Sequence, residues 1–426
     1  MGLQLLYNFA MMKFEQYHIV DEIKDNISKL GYTRPTDIQF KTIPSILKGE
    51  DVLAIAQTGT GKTAAFAIPI LHQLHIKKIL GRPDGVKCLI MAPTHELALQ
   101  IDQVIRTLAK HTRVTAFCVH GGVDQEPQIT QLNKGVDILV ATPGRMFDLV
   151  SQGVLNLKRV EILVLDEADH MLDLGFIKDI RDLMYHLPRQ RQTLFFSATI
   201  NDKIKKVAYS LVKDAIRIQL SPKDPVAKKI DHAVAFVEMI DKRFFLENII
   251  KNNEHKKILV FVRTKVRAER VKTAMDRVNI VTNTIHGDKA QEERKQTMHD
   301  FIAGTLKVLI ATDVSARGID IPDVEYVVNY DLPDSSAYYV HRVGRTGRGD
   351  QRGEAISLCS SEEKEMLAEI ERNLGKSIAT IDITKKEYKG VTDATDEKMD
   401  DWKSLMKDIA AEDEMYKNRK KKNRKK

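Results

Sequence analysis

From residue 52 the sequence passes from the apolar run Val52-Leu53-Ala54-Ile55, through Ala56-Gln57-Thr58-Gly59-Thr60-Gly61-Lys62-Thr63, into Ala64-Ala65-Phe66-Ala67-Ile68-Pro69. A short apolar run, a loop with two glycines and an immediate helical start commit this stretch to a strand, a tight turn and a helix. Glycine lets successive backbone N–H groups converge on one point, and the start of the helix adds the positive end of its dipole. Such a concavity fits phosphate oxygens. Lys62 can reach the β- and γ-phosphates, and the Thr63 hydroxyl can hold Mg²⁺. The pattern predicts that the chain binds a nucleoside triphosphate.

A second apolar run, Val160-Glu161-Ile162-Leu163-Val164-Leu165, ends directly in Asp166-Glu167-Ala168-Asp169. A strand end of this kind places Asp166 where it can hold Mg²⁺, largely through water, and Glu167 where it can orient an attacking water. Strand-length apolar runs alternate with helical patterns throughout, among them Cys88–Met91, Ala116–Val119, Ile138–Ala141 and 193–196, then 234–237, Ile258–Val262, 308–311, 326–328 and 355–358. This is the pattern of α/β parallel sheets. The charged, proline-containing segment 221–229 reads as a linker. The expected organisation is an apolar leader (1–12, with Met11 or Met12 an alternative start), a first domain (13–220), the linker, a second domain (230–375) and a charged extension (376–426). Residues 230–375 contain no second glycine cradle, so the second domain is expected to complete the site of the first.

In this setting Asp166-Glu167-Ala168-Asp169 resembles the signature of the DEAD-box ATP-dependent RNA helicases. Other segments follow in that family's order: Phe14 with 31–39, Pro93-Thr94-His95-Glu96-Leu97-Ala98, Gly121-Gly122, Thr142-Pro143-Gly144-Arg145, Ser197-Ala198-Thr199, Gln291-Glu292-Glu293-Arg294, 311–320 and 341–348. The resemblance spans roughly residues 14 to 360 and implies two tandem RecA-like domains, ATP and Mg²⁺ as ligands, and RNA as partner. It assigns adenine recognition to Phe14, Thr36 and Gln39, and phosphate binding to Gln57, Thr58, Gly59, Thr60, Gly61, Lys62 and Thr63. Gly318 and Asp320 go to the ribose side, and Arg345 and Arg348 to the γ-phosphate as arginine fingers. Ser197, Thr199, Asp169 and His341 would link the nucleotide to the interdomain cleft. RNA contacts fall to Pro93, Thr94, Gly122, Thr142, Arg145, Arg263, Thr264, Gln291, Arg294, Thr312 and Asp313, mostly through phosphates and 2′-hydroxyls. One position departs from the family pattern: His95 stands where arginine is usual. The compact core and basic tail look most like the bacterial RhlE-type members, which implies remodelling of ribosomal or messenger RNA. The residues leave two rivals open, an ATP-gated RNA clamp with slow hydrolysis and a DNA-directed helicase of the same superfamily.

The formal net charge of +8 becomes informative once it is located. Eight of the last ten residues are basic, and the other 59 cations balance 59 anions. Residues 391–416 are acidic, with Trp402, Leu405, Met406 and Ile409 at helical spacing, so a short amphipathic helix is expected ahead of a tail that lacks any apolar residue. No apolar run is long enough to span a membrane. The widely separated Cys88, Cys118 and Cys359 suit buried thiols in a reducing cytoplasm.

Overall fold

The computed structural model describes residues 12–57, 59–78, 85–200, 202–220, 226, 229–313, 321, 324–347, 352–383 and 388–389. The apolar leader, Thr58, most of the linker, Gly318, Asp320, Arg348, the amphipathic segment and the basic tail therefore lie outside the described residues.

The first half builds a sheet from β1 (Val52–Ile55), β2 (Cys88–Met91), β3 (Ala116–Val119), β4 (Ile138–Ala141), β5 (Ile162–Leu165), β6 (Gln192–Ser197) and β7 (Ile216–Gln219). Its order is β3-β4-β2-β5-β6-β1-β7, and the pairings are parallel. The second half repeats the plan with β8 (Ile230–Phe236), β9 (Ile258–Val262), β10 (Thr282–Ile285), β11 (Val308–Thr312), β12 (Tyr326–Asn329), β13 (Gly353–Cys359) and β14 (Ala379–Ile381). The order there is β10-β11-β9-β12-β13-β8-β14, the same topology strand for strand.

Parallel strands need long crossovers, and the intervening helices cover both faces of each sheet. The central strands are consequently mostly apolar, with side chains alternating between two cores. Val52 and Ala54 join Ile90, Val140, Val164 and Phe196 on one face; Leu53 and Ile55 join Leu89, Leu139, Leu163 and Phe195 on the other. Sheet two divides in the same way, Leu259 and Leu309 facing one core and Val260 and Ile310 the other. Cys88, Cys118 and Cys359 are free and buried, and burial pushes all three thiols up, Cys359 to about 11.

This order sorts the loops at the carboxyl ends of the strands. The neighbours β5, β6 and β1 bring residues 166–169, 197–199 and 56–63 together, whereas β3, β4 and β2 present 120–122, 142–145 and 93–95 beside them. Ligands of open α/β sheets bind along this edge. Among the described residues no helix is long and apolar enough to cross a membrane.

Candidate active site and nucleic-acid interface

The glycine loop takes the conformation its composition predicts, with φ at +77° for Gly59 and +90° for Gly61. A Cβ at Gly61 would lie 2.5 Å from Gln39 Nε2, so the loop and the start of the helix Asp37–Leu47 are in contact. Three hydrogen bonds define that contact: Gln39 Nε2 donates to Gly61 O (3.1 Å), Thr36 N donates to Gln39 Oε1 (2.9 Å), and Thr36 Oγ1 donates to Thr60 O (2.8 Å). Gln39 and Thr36 thus hold the cradle itself; for Gln39 to read adenine with the same amide, these bonds must be shared or exchanged. Phe14, 3% exposed, is packed in the core with its ring 6.2 Å from that of Tyr17.

Lys62 opens the helix Lys62–Lys77 and is buried, its ammonium donating to Ala56 O at 3.0 Å. Asp166 and Glu167 are only 2% and 3% exposed. Burial raises the Asp166 carboxyl to about 6 against the opposing pull of Lys62. A buried carboxylate displaced in this direction suits a cation that favours its charged form, and with Thr63 directly after Lys62 the donor set fits Mg²⁺. Glu167 holds a left-handed backbone, φ +49°, uncommon for a residue other than glycine. Its N–H donates to Asp166 Oδ1 (3.0 Å), and its Oε2, 4.0 Å from His170 Nδ1, is buried with no hydrogen-bond partner among the described residues. A strained backbone presenting an unsatisfied carboxylate oxygen beside a phosphate loop is an arrangement for gripping water.

Asp169 connects this corner to β6. Its Oδ2 accepts from both the N–H and the hydroxyl of Thr199, each at 3.0 Å, and Ser197 Oγ donates to Thr199 O (2.7 Å). Hydrogen bonds thus join Asp169, Ser197 and Thr199, three of the four residues expected to link the nucleotide to the cleft; none of these bonds involves His341.

In the second half, the helix Ser336–Val343 carries His341 and Arg342 and leads into Arg345. Arg342 makes a bidentate fork on Asp313 (2.6 and 2.7 Å) and donates to Asp331 O (2.7 Å). Arg345, 1% exposed, donates through Nε to His341 O (3.2 Å). Gly344 and Gly347 allow close approaches within the domain. A Cβ at Gly344 would meet Val340 O at 2.9 Å, and one at Gly347, φ +68°, would meet Ile230 Cγ1 at 2.6 Å.

Many of the RNA-assigned residues stand at strand ends and helix starts. Thr94 caps the helix His95–Leu108 by accepting from Leu97 N (3.3 Å), and Thr264 caps the helix Lys265–Arg277 by accepting from Arg267 N (3.2 Å). Each follows the second strand of its own sheet. Pro93 and Thr142 are buried, Gly122 has φ +75°, Thr312 ends β11, and Gln291 begins the helix Gln291–Ala303. Arg145 Nη2 donates to Val123 O (2.8 Å). Arg263 and Asp313 are engaged inside their domain, Arg263 with Glu363 (2.9 Å) and Asp313 with Arg342. Arg294 reaches the other half of the chain and forms an ion pair with Glu96. Glu96 was not singled out from sequence; its signal was its place between His95 and the apolar face of an N-capped helix. His120 was missed as well, although it directly precedes Gly121-Gly122.

The family model for DEAD/DEAH box helicases matches residues 36–207, and that for the helicase conserved C-terminal domain matches residues 241–350. The chain is 40% identical over 366 residues to the ATP-dependent RNA helicase CshA of Listeria monocytogenes, covering 86% of this chain and 69% of that protein. It is 37% identical over 378 residues to the ATP-dependent RNA helicase RhlB of Shewanella amazonensis, covering 87% and 85%. Among solved structures, S. cerevisiae Dbp5 bound to RNA and ADP BeF3 superposes with a TM-score of 0.78 at 29% identity, covering 89% of this chain and 99% of that one. These likenesses show that the chain belongs to the DEAD-box family of ATP-dependent RNA helicases.

Proposed function

We propose that this helicase separates short RNA duplexes, or displaces protein from RNA, by closing its two halves around ATP and one RNA strand. The observation that carries the reading is the buried Glu167 on left-handed backbone, with a free carboxylate oxygen, beside Asp166 and the Lys62 cradle. Lys62 and the N–H groups of residues 57–63 hold the phosphates, while Phe14, Thr36 and Gln39 serve the adenine side. Thr63 and Asp166 hold Mg²⁺, which when bound neutralises charge on the phosphoryl oxygens. Glu167 orients the attacking water. Arg345, fixed by its contact with His341 O, and Arg348 stabilise the charge that develops on the transferred group, and Gly318 and Asp320 serve nucleotide binding, Asp320 at the ribose. RNA held by Pro93, Thr94, Gly122, Thr142 and Arg145 on one half, and by Arg263, Thr264, Gln291, Arg294, Thr312 and Asp313 on the other, favours closure; by linkage ATP then favours RNA.

The test is steady-state ATP hydrolysis with no nucleic acid, with single-stranded RNA and with DNA of the same sequence, beside Glu167→Gln. Stimulation by RNA alone is expected, lost in the variant. Slow turnover indifferent to RNA would favour the clamp, and equal stimulation by DNA the DNA-directed helicase.

Two finer readings belong here. The compact core and cationic tail support an RhlE-type, cytoplasmic enzyme acting on ribosomal or messenger RNA, and three free buried thiols fit a reducing compartment. The eight cations among residues 417–426 support anchoring to structured RNA. Deleting them should flatten the log–log salt dependence of binding by about 0.7 for each single-strand phosphate that the tail neutralises; an unchanged slope would refute the anchor.

A further inference from the structure

His95 opens the helix His95–Leu108 immediately after its Thr94 cap. Its ring packs on the turn that follows β3: a Cβ on Gly121 would lie 3.4 Å from His95 Nε2, and one on Gly122 would lie 3.6 Å from Nδ1. A second imidazole stands against it, His120, with ring centroids 5.3 Å apart. His120 is 7% exposed and its Nδ1 is 2.8 Å from Gly121 O. A carbonyl only accepts, so Nδ1 carries the hydrogen and Nε2 is the basic nitrogen.

The charged groups around His95 come from four elements. They are His120 on the turn, Arg145 on the helix Pro143–Ser151, Arg294 on the helix Gln291–Ala303, and Glu96, whose carboxylate is committed to Arg294. Arg145 Nη1 and Arg294 Nε are buried and have no hydrogen-bond partner among the described residues. Basic groups from both halves of the chain therefore act on His95, and two of their donors are unspent. Buried guanidinium N–H groups left in this way point to an anion. Burial first, then His120, Arg294 and Arg145, hold the His95 imidazole down to about 4. Without a ligand His95 is thus neutral at physiological pH, and a phosphodiester placed among these groups reverses the sign of the local field.

We propose that His95 and His120, with Arg145 and Arg294, form a proton-linked phosphate subsite, in which the arriving RNA phosphate draws a proton from solvent onto His95. RNA engagement then takes up a proton, and the grip on the strand strengthens as pH falls. Arginine at the same position would be charged in both states and would give no such linkage. The inference rests on the RNA path of the proposed function.

The experiment uses the full chain, a non-hydrolysable ATP analogue with Mg²⁺ and a short fluorescein-labelled oligouridylate, titrated by anisotropy at constant ionic strength from about pH 6 to about pH 8. Kd should rise with pH, by up to about tenfold per pH unit if one proton is linked. His95→Arg should flatten the profile and His95→Gln should flatten it at weaker affinity. Calorimetry of the unmodified chain in buffers of different ionisation heat should report proton uptake, which decides the matter even if a variant fails to fold. Tight binding with no proton uptake, or a slope retained in His95→Arg, would overturn the subsite and leave the RNA reading intact. Absence of RNA binding at every pH would overturn both.

Discussion

The two sheets share one topology, and the corner that holds the phosphate loop in the first is filled with protein in the second. Lys62 opens the helix after β1; Lys242 opens the helix Lys242–Asn252 after β8. The loop before Lys62 has two glycines at positive φ, whereas Val237 to Asp241 has none. Without a cradle, Lys242 is fully buried and donates to Tyr330 O (2.8 Å) and Glu363 Oε2 (2.5 Å). Glu363 also accepts from Arg263, and Asp331 is paired with Arg267 at 3.0 Å. Where the first half leaves buried charges to be completed by a ligand, the second half completes them internally. In the second half, a carboxylate from the chain itself sits beside Lys242, where the first half leaves room for a polyanion beside Lys62.

The comparison makes ordered predictions. The largest effect is expected from Glu167→Gln, which should lower RNA-stimulated ATP turnover by about 10²- to 10⁴-fold while leaving nucleotide affinity near wild type. Turnover within a few-fold of wild type would mean that Glu167 does not act on water. Next, Lys242→Ala takes one of two cations from the buried Glu363, which keeps Arg263, and should destabilise the second half by up to about 3–5 kcal/mol in urea unfolding. Lys62→Ala should abolish ATP binding with a much smaller stability loss. Equal losses would erase the distinction between the two corners.

The acid limb of stability sharpens the same point. Asp331 is buried, which by itself raises its carboxyl, yet Arg267, Lys242 and Arg263 hold it net below the usual carboxylate range. A depressed folded value contributes stability above the unfolded value of about 3.9, and that stability is lost as pH falls through the folded one. Urea midpoints should therefore drop steeply below about pH 4, and Asp331→Asn should remove that part of the slope. An identical slope in the variant would assign the acid sensitivity elsewhere. The smallest effect concerns Gly347→Ala: left-handed backbone and the clash with Ile230 should cost about 1–3 kcal/mol by thermal melting, with ATP affinity intact. A neutral result would mean that Ile230 can move aside.

Much of this was legible in the sequence because the central strands, buried on both faces, read as continuous apolar runs, and because glycine and carboxylate at strand ends carry their own chemistry. The edges were less legible. β7, β10 and β14 were not picked out: Thr282-Asn283-Thr284-Ile285 is mostly polar, and all three residues of β14 are exposed. An edge strand needs burial on fewer sides, so its pattern fades. At the site, residue types pointed to Asp169, Ser197 and Thr199, which the structure joins by hydrogen bonds. They could not reveal that Arg263 and Asp313 turn inward, since their partners Glu363 and Arg342 are far away in sequence. Lys242 had no flanking signal either, because no glycine lies between Val237 and Asp241.

The strand order also sets a timetable for synthesis. In the first sheet, Val52 must wait for Leu194 and Ile216 before it has neighbours, and in the second, Ile230 must wait for Gly353. Each half spends most of its time on the ribosome with its first strand unpaired. The first half can close while the second is still being made, since every strand of its sheet precedes β8. In the second half β8 is flanked by β13 and β14, so its sheet closes only once residues 379–381 are made, inside the segment that the sequence pattern assigns to the charged extension. Nascent second halves are thus the form of this chain most exposed to aggregation, and slow pairing of distant strands makes that exposure longest there.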